Sequence, residues 1–228
     1  MKNNFWSRHH ALALLGQICL LGLVLAWGVP AHADAVDLLA QYMKQASSGR
    51  AQFTQVVTSP SRAGQAPRAK TSSGSFEFQR PGKFRFDYQK PFVQALVADG
   101  QTLWLHDVDL NQVTARPQAQ VLGATPAALL TSASDLQALK KDFQFSSEPD
   151  QGGLKWVRAT PLTPDGPIRN VMVGLRAAAS GPELAMLDVQ DSLGQRSVLS
   201  FSAVETNPVL PASTFVFKAP AGADVIRP

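Results

Sequence analysis

The chain has 228 residues, of which 21 are lysine or arginine and 17 are aspartate or glutamate, so its formal net charge at pH 7 is +4. The basic residues form no dense stripe, which argues against a nucleic-acid-binding protein. One cysteine and four histidines are too few for a disulfide framework or a Cys/His zinc site, so neither a metal nor another cofactor is predicted.

The first 33 residues have the pattern of a secretory signal peptide. Lys2 and Arg8 precede an apolar stretch at residues 11–29, and Ala31-His32-Ala33 supplies the small residues that signal peptidase requires. An uncleaved membrane anchor is the alternative, because the apolar stretch approaches spanning length, but the Ala-x-Ala ending favours cleavage. We therefore predict a cleaved signal peptide at residues 1–33 and a single domain at residues 34–228.

Removal of the signal peptide narrows the possible chemistry further. Residues 34–228 contain no cysteine, and His106 is their only histidine. Subtracting Lys2 and Arg8 from the 21 basic residues leaves 19 against 17 acidic ones, a net charge near +2. Thiolate catalysis and His-pair metal sites lack their residues, so stability has to come from packing.

A helix is predicted at residues 34–47. Apolar residues recur there at the spacing of one helix face, namely Val36, Leu39, Ala40 and Met43. Asp34 lies near the start, where the helix dipole favours negative charge. Gly49 is predicted to end the helix.

Strands account for most of the remaining chain. Alternating apolar positions between turn residues predict strands at residues 50–58, 72–79, 83–89, 92–98, 101–106, 112–116, 143–148, 154–160, 169–176, 183–190, 195–206 and 214–218. Two short helices interrupt this pattern at residues 127–130 and 134–141. About eleven short antiparallel strands with these helices predict a mainly β fold, in which the concave side of one strongly curved sheet carries the helices.

Residues 80–113 carry aromatic side chains at every second position of a strand. Phe84, Phe86 and Tyr88 therefore share one face, which is suited to an apolar partner. After the Asp99-Gly100 turn, the next strand is predicted to bring Trp104 close to the same surface.

Short motifs follow one another along the whole of residues 34–228. They are Phe-Thr-Gln at 53–55, Gly-x-Phe at 74–76, Arg-Pro-x-x-Phe at 80–84, Asp-Gly-x-x-Leu-Trp at 99–104, Gln-Val at 112–113, Thr-Pro at 125–126 and Phe-x-Phe-x-x-Pro-x-Gly at 215–222. Each motif is weak alone, but their order and spacing resemble the LolA family, the periplasmic carriers of outer-membrane lipoproteins. His106 and Val108 depart from the family, which often has tyrosine and proline at these positions.

The resemblance implies an unclosed β-barrel in which a lid of short α-helices covers an apolar cavity for acyl chains. It implies acylated lipoproteins as cargo, an inner-membrane ABC release complex similar to LolCDE as donor, and an outer-membrane receptor similar to LolB as acceptor. The protein would act in the periplasm as a monomeric chaperone, without catalysis. Cys19 lies within the apolar stretch rather than at its end, so the lipid anchor typical of LolB is not expected.

The resemblance also implies two kinds of site residue. Arg80 would latch the lid through hydrogen bonds, and Phe84 would be important for transfer. The predicted acyl-chain cavity is formed by Phe84, Phe86, Trp104, Leu129, Leu130 and Leu136. The structural alternative is a solvated hairpin arginine and an ordinary apolar core, because a cavity wall and a core have the same sequence pattern.

Two other functions stay open at this point. A sensor module could use the same partial barrel to bind a lipid or peptide, although a further domain after Pro228 would then be expected. A periplasmic lipid hydrolase could use His106 and Asp107 with a serine, but the chain has no Gly-x-Ser-x-Gly motif. We expect a carrier and no enzyme.

Overall fold

One twelve-stranded sheet forms the framework of the protein in the computed structural model, which describes residues 34–61, 66–121, 131 and 135–228. The strands are β1 (Ser48–Ser59), β2 (Arg68–Gln79), β3 (Lys83–Lys90), β4 (Gln94–Asp99), β5 (Thr102–Asp107), β6 (Gln112–Pro117), β7 (Phe143–Gln151), β8 (Leu154–Pro161), β9 (Ile168–Ala178), β10 (Gly181–Asp191), β11 (Arg196–Thr206) and β12 (Asp224–Ile226). Their order across the sheet is β12-β6-β5-β4-β3-β2-β1-β11-β10-β9-β8-β7. Within the described residues β7 and β12 do not pair with each other, so the sheet is unclosed. The predicted mainly β, unclosed fold is confirmed.

The sheet consists of two antiparallel halves. Strands that are neighbours in sequence pair from β1 to β6 and from β7 to β11, and the pairing of β1 with β11 joins the halves. Because side chains alternate along a strand, the sheet has two faces. We call the face that carries Phe53, Phe84 and Leu187 the inner face, and the face that carries Val97 and Trp104 the outer face.

Helix α1 (Ala35–Gln45) packs on the inner face against β7, β8, β9 and β10. The Asp34 carboxylate caps its start by accepting a hydrogen bond of 3.2 Å from the Val36 amide. Its buried stripe lies in the main core and consists of Ala35, Leu38, Leu39, Tyr42 and Met43. Of the predicted face, Leu39 and Met43 belong to this stripe, whereas Val36 and Ala40 are half-buried and pack against the core. Most of the stability of so short a helix comes from this packing.

The end of α1 differs from the prediction. The helix ends at Gln45, and Gly49 already belongs to β1. Asn207, after β11, fixes this end: its side-chain oxygen accepts a 2.8 Å hydrogen bond from the Ser47 amide, and its side-chain nitrogen donates to the Gln45 carbonyl at 2.9 Å. Gly49 is required for another reason, because a Cβ atom there would lie 2.3 Å from the Phe78 ring.

Two further helices are short. Helix α2 (Gln118–Val121) follows β6, and helix α3 (Leu136–Leu139) lies within the helix predicted at residues 134–141. The Asp135 carboxylate caps α3 by accepting a 2.9 Å hydrogen bond from the Ala138 amide. The helix predicted at residues 127–130 lies outside the described residues.

The strand predicted at residues 214–218 is wrong. A 3₁₀ helix (Ala212–Phe215) and an irregular segment occupy this region, and the backbone crosses the outer face of the sheet. Phe215 is buried there, and the Phe217 ring lies 5.3 Å from the Trp104 ring. The edge of β6 pairs in parallel with β12 instead. The alternating phenylalanines of this segment thus contact a sheet face without joining a sheet.

Candidate functional site

Among the described residues, seven aromatic rings pack together on the inner face and form what we call the aromatic cluster: Phe53, Phe76, Phe78, Phe84, Phe86, Tyr88 and Phe201. The ring centroids of Phe76 and Phe86 are 4.4 Å apart, and those of Phe53 and Phe86 are 5.2 Å apart at an interplanar angle of 82°. Such contacts contribute about 0.5–1.5 kcal/mol each beyond the burial of the rings. The cluster is a continuous apolar surface in the middle of the sheet.

The structure brings three of the predicted cavity residues into the main core. Phe84 is 0% exposed, and Phe86 and Leu136 are also buried. Phe84 and Phe86 lie on the same face of β3, opposite Ala98 and Leu96 of β4. In this conformation the rings are closely packed, so an acyl chain can contact them only after neighbouring groups move. Their role as a cavity wall stays a prediction.

The placement of Trp104 on the same surface is wrong. Trp104 lies opposite Val97, whereas Phe86 lies opposite Leu96, so the two aromatic residues face opposite sides of the sheet. The reason is the register of the β4–β5 hairpin. Ala98 pairs with Leu103, so four residues lie between the paired positions. With an even number of intervening residues, each even-numbered residue of β4 lies opposite an odd-numbered residue of β5. The even-numbered Trp104 therefore faces away from Leu96 and Phe86. The Trp104 indole donates to the Asp99 carboxylate at 2.9 Å and stacks on Phe217.

Leu129 and Leu130 lie outside the described residues. Thr131, which follows them, is buried, and its carbonyl accepts a hydrogen bond of 2.7 Å from the Gly82 amide. The segment predicted as a lid therefore has a backbone contact with the turn between β2 and β3 at Thr131.

Arg80 lies in this turn, and its guanidinium reaches the C-terminal end of α1. One guanidinium nitrogen, Nη1, donates hydrogen bonds to the carbonyls of Met43, at 2.9 Å, and Ala46. Carbonyls in the last turn of a helix have no partner within the helix, and the helix dipole is negative there, so a cation is well suited to this position. The Arg80 backbone amide also donates to the Ser47 carbonyl at 2.8 Å.

The surroundings of the Arg80 guanidinium are largely aromatic. Its central carbon lies 5.3 Å from the ring centroid of Tyr42 on α1 and 5.3 Å from that of Phe78 on β2. Burial lowers the pKa of Arg80, and burial raises the pKa of Tyr42 to about 12. Arg80 is therefore a partly desolvated cation between the helix and the aromatic cluster, and contacts of this kind contribute about 2 kcal/mol when desolvated.

Gly82, in the same turn, is in contact with Gln118. The Gln118 side chain at the start of α2 donates to the Gly82 carbonyl at 2.5 Å and accepts from the Gly100 amide at 3.0 Å. The segment Arg80-Pro81-Gly82, which we call the Arg-Pro-Gly turn, thus contacts α1, Gln118 and Thr131 together. It joins the hairpin that bears Phe84 to α1, to α2 and to Thr131.

A narrow cleft with a volume of about 20 Å³ lies between the last turn of α1 and the sheet. Its apolar wall includes Tyr42, Phe76, Phe78, Leu184, Phe201 and Val204. At the rim, the Arg50 side chain contacts the Glu205 carboxylate at 3.6 Å and the Glu77 carboxylate at 2.8 Å. A volume of about 20 Å³ has room for little more than one water molecule, so the cleft holds no acyl chain in this conformation.

The opposite end of the inner face holds a wider groove of about 540 Å³. Tyr88 belongs both to the aromatic cluster and to the wall of this groove, which we call the open-end groove. Its hydroxyl donates to the Gln55 side-chain oxygen at 3.0 Å, and the Gln55 side-chain nitrogen donates to the Ser197 hydroxyl at 2.8 Å. Burial raises the pKa of Tyr88 to about 12, so the hydroxyl is neutral and can donate.

His106 and Asp107 do not form a catalytic pair in the structure. They are adjacent on β5 and therefore point to opposite faces of the sheet. The His106 ring lies 5.9 Å from the Phe217 ring on the outer face, and the Asp107 carboxylate accepts a 2.7 Å hydrogen bond from Gln94. This geometry gives no support to a hydrolytic triad.

Several residues of the site were absent from the sequence prediction. The Met43 and Ala46 carbonyls carry no sequence signal, because any residue has a carbonyl. Gln118 and Asn207 are polar residues in loop-rich segments, and their contacts join positions far apart in the chain. Gln55, in contrast, belongs to the Phe-Thr-Gln motif and could have been identified as an inward-facing polar residue from its period-two relation to Phe53.

Residues 44–218 match the model of the family described as outer membrane lipoprotein carrier protein LolA. The chain belongs to the LolA family. The match includes Arg80 and the whole aromatic cluster.

Relatives in the LolA family align over nearly their full length. The outer-membrane lipoprotein carrier protein of Albidiferax ferrireducens is 58% identical over 204 residues, which cover 90% of this chain and 96% of that protein. The protein of the same description from Methylibium petroleiphilum is 52% identical over 211 residues, which cover 92% of this chain and 98% of that protein. A solved structure of a LolA superfamily protein from Nitrosomonas europaea is 13% identical, with a TM-score of 0.44, and the alignment covers 81% of this chain and 98% of that one. Among the described residues, no helix is long and apolar enough to cross a membrane.

Proposed function

We propose that this protein is a periplasmic carrier of outer-membrane lipoproteins that shelters their acyl chains on the inner face of the sheet. Membership of the LolA family supports lipoprotein transport, and the aromatic cluster offers a suitable apolar surface. The observation that carries the proposal is the contact of Arg80 with the Met43 and Ala46 carbonyls. This contact joins the hairpin of Phe84 to the helix that packs over the same core.

In the proposed cycle the described conformation is the closed, empty form. Arg80 and the Arg-Pro-Gly turn hold α1 and Thr131 against the sheet, and the aromatic rings fill the space between them. Incoming acyl chains replace ring-to-ring and helix-to-sheet contacts with chain-to-ring contacts. The cargo thus opens the site by displacing these contacts.

The closed form also explains how release can be favourable. Complete burial of one ~16-carbon chain stabilises a complex by about 12 kcal/mol at ~0.8 kcal/mol per methylene, so three chains would exceed any reversible affinity. Each packing contact and Arg80 hydrogen bond lost on opening is subtracted from this gain. A carrier that regains these contacts on closing can return its cargo to an acceptor.

The partners follow from this role. We propose that an inner-membrane ABC complex similar to LolCDE loads the protein and that an outer-membrane receptor similar to LolB unloads it. The protein acts as a monomer between the two membranes. Its own chemistry consists of binding, shielding and release, and no bond in the cargo is broken.

Direct binding of a triacylated lipopeptide to the chain without its signal peptide tests the proposal. A fluorescent hydrophobic probe bound to the protein should be displaced by the lipopeptide but not by the same peptide without acyl chains. Equal displacement by the two peptides would contradict acyl-chain binding. A reconstituted assay with donor and acceptor membranes then measures transfer.

A further inference from the structure

The open-end groove has both apolar and cationic walls. Its apolar lining includes Val57, Ala69, Tyr88, Pro91 and Phe92, and its polar lining includes Gln55, Gln94 and Gln195. Arg68 and Lys70 lie along the same wall, on β2. The groove is therefore amphipathic, unlike the apolar cleft beside Arg80.

The two cations are not neutralised within the described structure. Neither Arg68 nor Lys70 forms an ion pair with a described residue, and none of the described residues that line the groove carries a carboxylate. The Lys70 ammonium instead lies 4.8 Å from the centroid of the Phe92 ring, which is 51% exposed. A cation held against an exposed ring at the mouth of a groove is available to an anion.

Strand geometry connects these cations with the aromatic cluster. Arg68, Lys70 and Phe76 are even-numbered positions of β2 and therefore share its inner face. Lys70 and Phe76 are six residues apart, which corresponds to about 20 Å along the strand. Tyr88 belongs to both the aromatic cluster and the groove wall, so the apolar surface continues from one to the other.

We propose that the open-end groove is a binding site for a single-chain anionic lipid. Arg68 and Lys70 bind the carboxylate or phosphate of its head, and Phe92, Val57 and Tyr88 contact the first part of its chain. The neutral amide of Gln195 faces the head-group oxygens and the ester region, whereas the amides of Gln55 and Gln94 keep their hydrogen bonds to Ser197 and Asp107. This ligand class is additional to the acylated lipoproteins of the proposed function, and it requires no opening of the Arg80 contact, because the groove is already accessible.

Charge complementarity favours this occupant over a neutral lipid. Both cations are exposed, so each contributes modestly to binding. Together they should favour an anionic head over a neutral one by about tenfold in affinity, which corresponds to about 1.4 kcal/mol. The preference should decrease as salt is added, because exposed charges are screened.

Calorimetric titration with lipids that share one palmitoyl chain tests the site, each kept below the concentration at which it forms micelles. The probes are palmitate, palmitoyl lysophosphatidylglycerol and monopalmitoylglycerol, and the first two distinguish a carboxylate from a phosphate head. Arg68→Gln with Lys70→Gln should reduce the binding of both anionic lipids about tenfold and leave monopalmitoylglycerol unchanged. Lys218→Gln with Arg227→Gln removes the same charge from exposed positions of the C-terminal segment and should change none of the three affinities.

Three results would overturn the inference. These are equal affinity for palmitate and monopalmitoylglycerol, an anionic preference that survives the Arg68 and Lys70 substitutions, and equal binding of a non-acylated acidic peptide, which would make the groove a peptide site. Loss of triacylated lipopeptide binding is measured separately. Failure of the proposed carrier function is thereby distinguished from failure of this lipid site.

Discussion

The Arg80 side chain is half-buried between two aromatic rings, although its place before Pro81-Gly82 is typical of a solvated hairpin. Placing a guanidinium there carries a desolvation cost, which the carbonyls of Met43 and Ala46 and the rings of Tyr42 and Phe78 offset. These partners lie on α1 and on β2. The favourable balance therefore exists only while the helix packs against the sheet, so Arg80 stabilises this packed arrangement, the proposed closed form.

Arg80→Leu should shift the protein towards its open, loaded form. The substitution removes charge-assisted hydrogen bonds worth about 1.5–3 kcal/mol each before competition from solvent. Uptake should persist, whereas release to the acceptor should slow, because closing no longer helps to expel the chains. A transfer assay that measures loading and unloading separately checks this result.

Two further variants control the Arg80 experiment. Arg80→Lys should restore release only in part, because one ammonium group does not reproduce a planar fork of donors. Arg169→Leu removes an exposed arginine without a described ion pair and should have no effect on either step. Normal release by Arg80→Leu, or equal losses in loading and release, would leave Arg80 with a purely structural role.

Phe84→Glu should abolish cargo uptake. Phe84 is completely buried, so the carboxylate would lie where acyl carbon is proposed to bind, at a cost of several kcal/mol unless it is protonated or reaches water. Lipopeptide binding and thermal unfolding of the same sample measure the two effects separately. Phe84→Leu keeps an apolar side chain and should fold and bind, whereas Leu110→Glu places the same charge on an exposed residue and should bind normally.

At the scale of elements, the end of α1 at Gln45 depends on Asn207, which lies 162 positions away in sequence. The Asn207 side chain bridges the Gln45 carbonyl and the Ser47 backbone amide. The Asn207 backbone amide donates to the Ser48 carbonyl at 2.9 Å. Its φ of +57° lies in the left-handed region, which asparagine tolerates better than most residues. The same side chain thus ends α1 and holds the start of β1 beside the end of β11.

Asn207→Ala should lower the free energy of unfolding by about 2–3 kcal/mol, because it combines lost hydrogen bonds with strain at positive φ. Urea denaturation measures the change. Asn207→Gly also removes the side chain, but glycine adopts a positive φ without strain. It should therefore lower the free energy of unfolding by less than Asn207→Ala does. If the two variants are equally unstable, backbone strain contributes nothing and the side-chain bonds account for the whole effect.

The element types could largely be predicted from the sequence, because the strands alternate apolar and polar residues and the turns carry glycine. The strand predicted at residues 214–218 was wrong because alternating apolar residues do not always indicate a strand. Phe215 and Phe217 alternate as in a strand, yet they pack on the outer face of a sheet whose β6 edge is taken by β12. Strand β12 has only three residues, which is too short for an alternating apolar pattern to be recognised in the sequence.

The site was less predictable than the fold. Periodicity placed Phe84 and Phe86 on one face, but the face of Trp104 depends on the number of residues in one hairpin, and a shift of one position reverses it. The partners of Arg80 are backbone carbonyls, which no side-chain pattern reveals. The resemblance to the LolA family gave Arg80 a role, whereas its contact with α1 required the structure.

At the scale of the molecule, the sheet separates two apolar layers. The larger one contains α1 and the aromatic cluster, and the smaller one contains Val97, Val113, Ala115 and Phe215 on the outer face. The C-terminal segment covers the outer layer, and the Arg85 side chain on β3 donates to the Thr214 carbonyl at 3.3 Å. The proposed opening of the inner face therefore leaves the contacts of the outer layer, which hold β3 to β6 in register, in place.

Hydrogen exchange in the presence of a triacylated lipopeptide should show this separation. Amides of α1 and the Gly82 amide should lose protection, whereas amides of β4, β5 and β6 should keep theirs, since opening affects only the inner layer. Exchange measured on peptide fragments with and without ligand makes the comparison. A uniform loss of protection across β4–β6 would instead indicate global loosening of the fold.

The unclosed sheet leaves two edges at which a strand from another molecule could pair, a common beginning of aggregation and of strand exchange. Both edges carry features that oppose such pairing. At one edge β7 contains Pro149, which has no amide hydrogen, between the charged residues Glu148 and Asp150, and its register with β8 is irregular there. At the other edge the three residues of β12 cover β6 in parallel and offer a partner very little length. These features oppose pairing with a strand of a second copy while leaving the sheet unclosed.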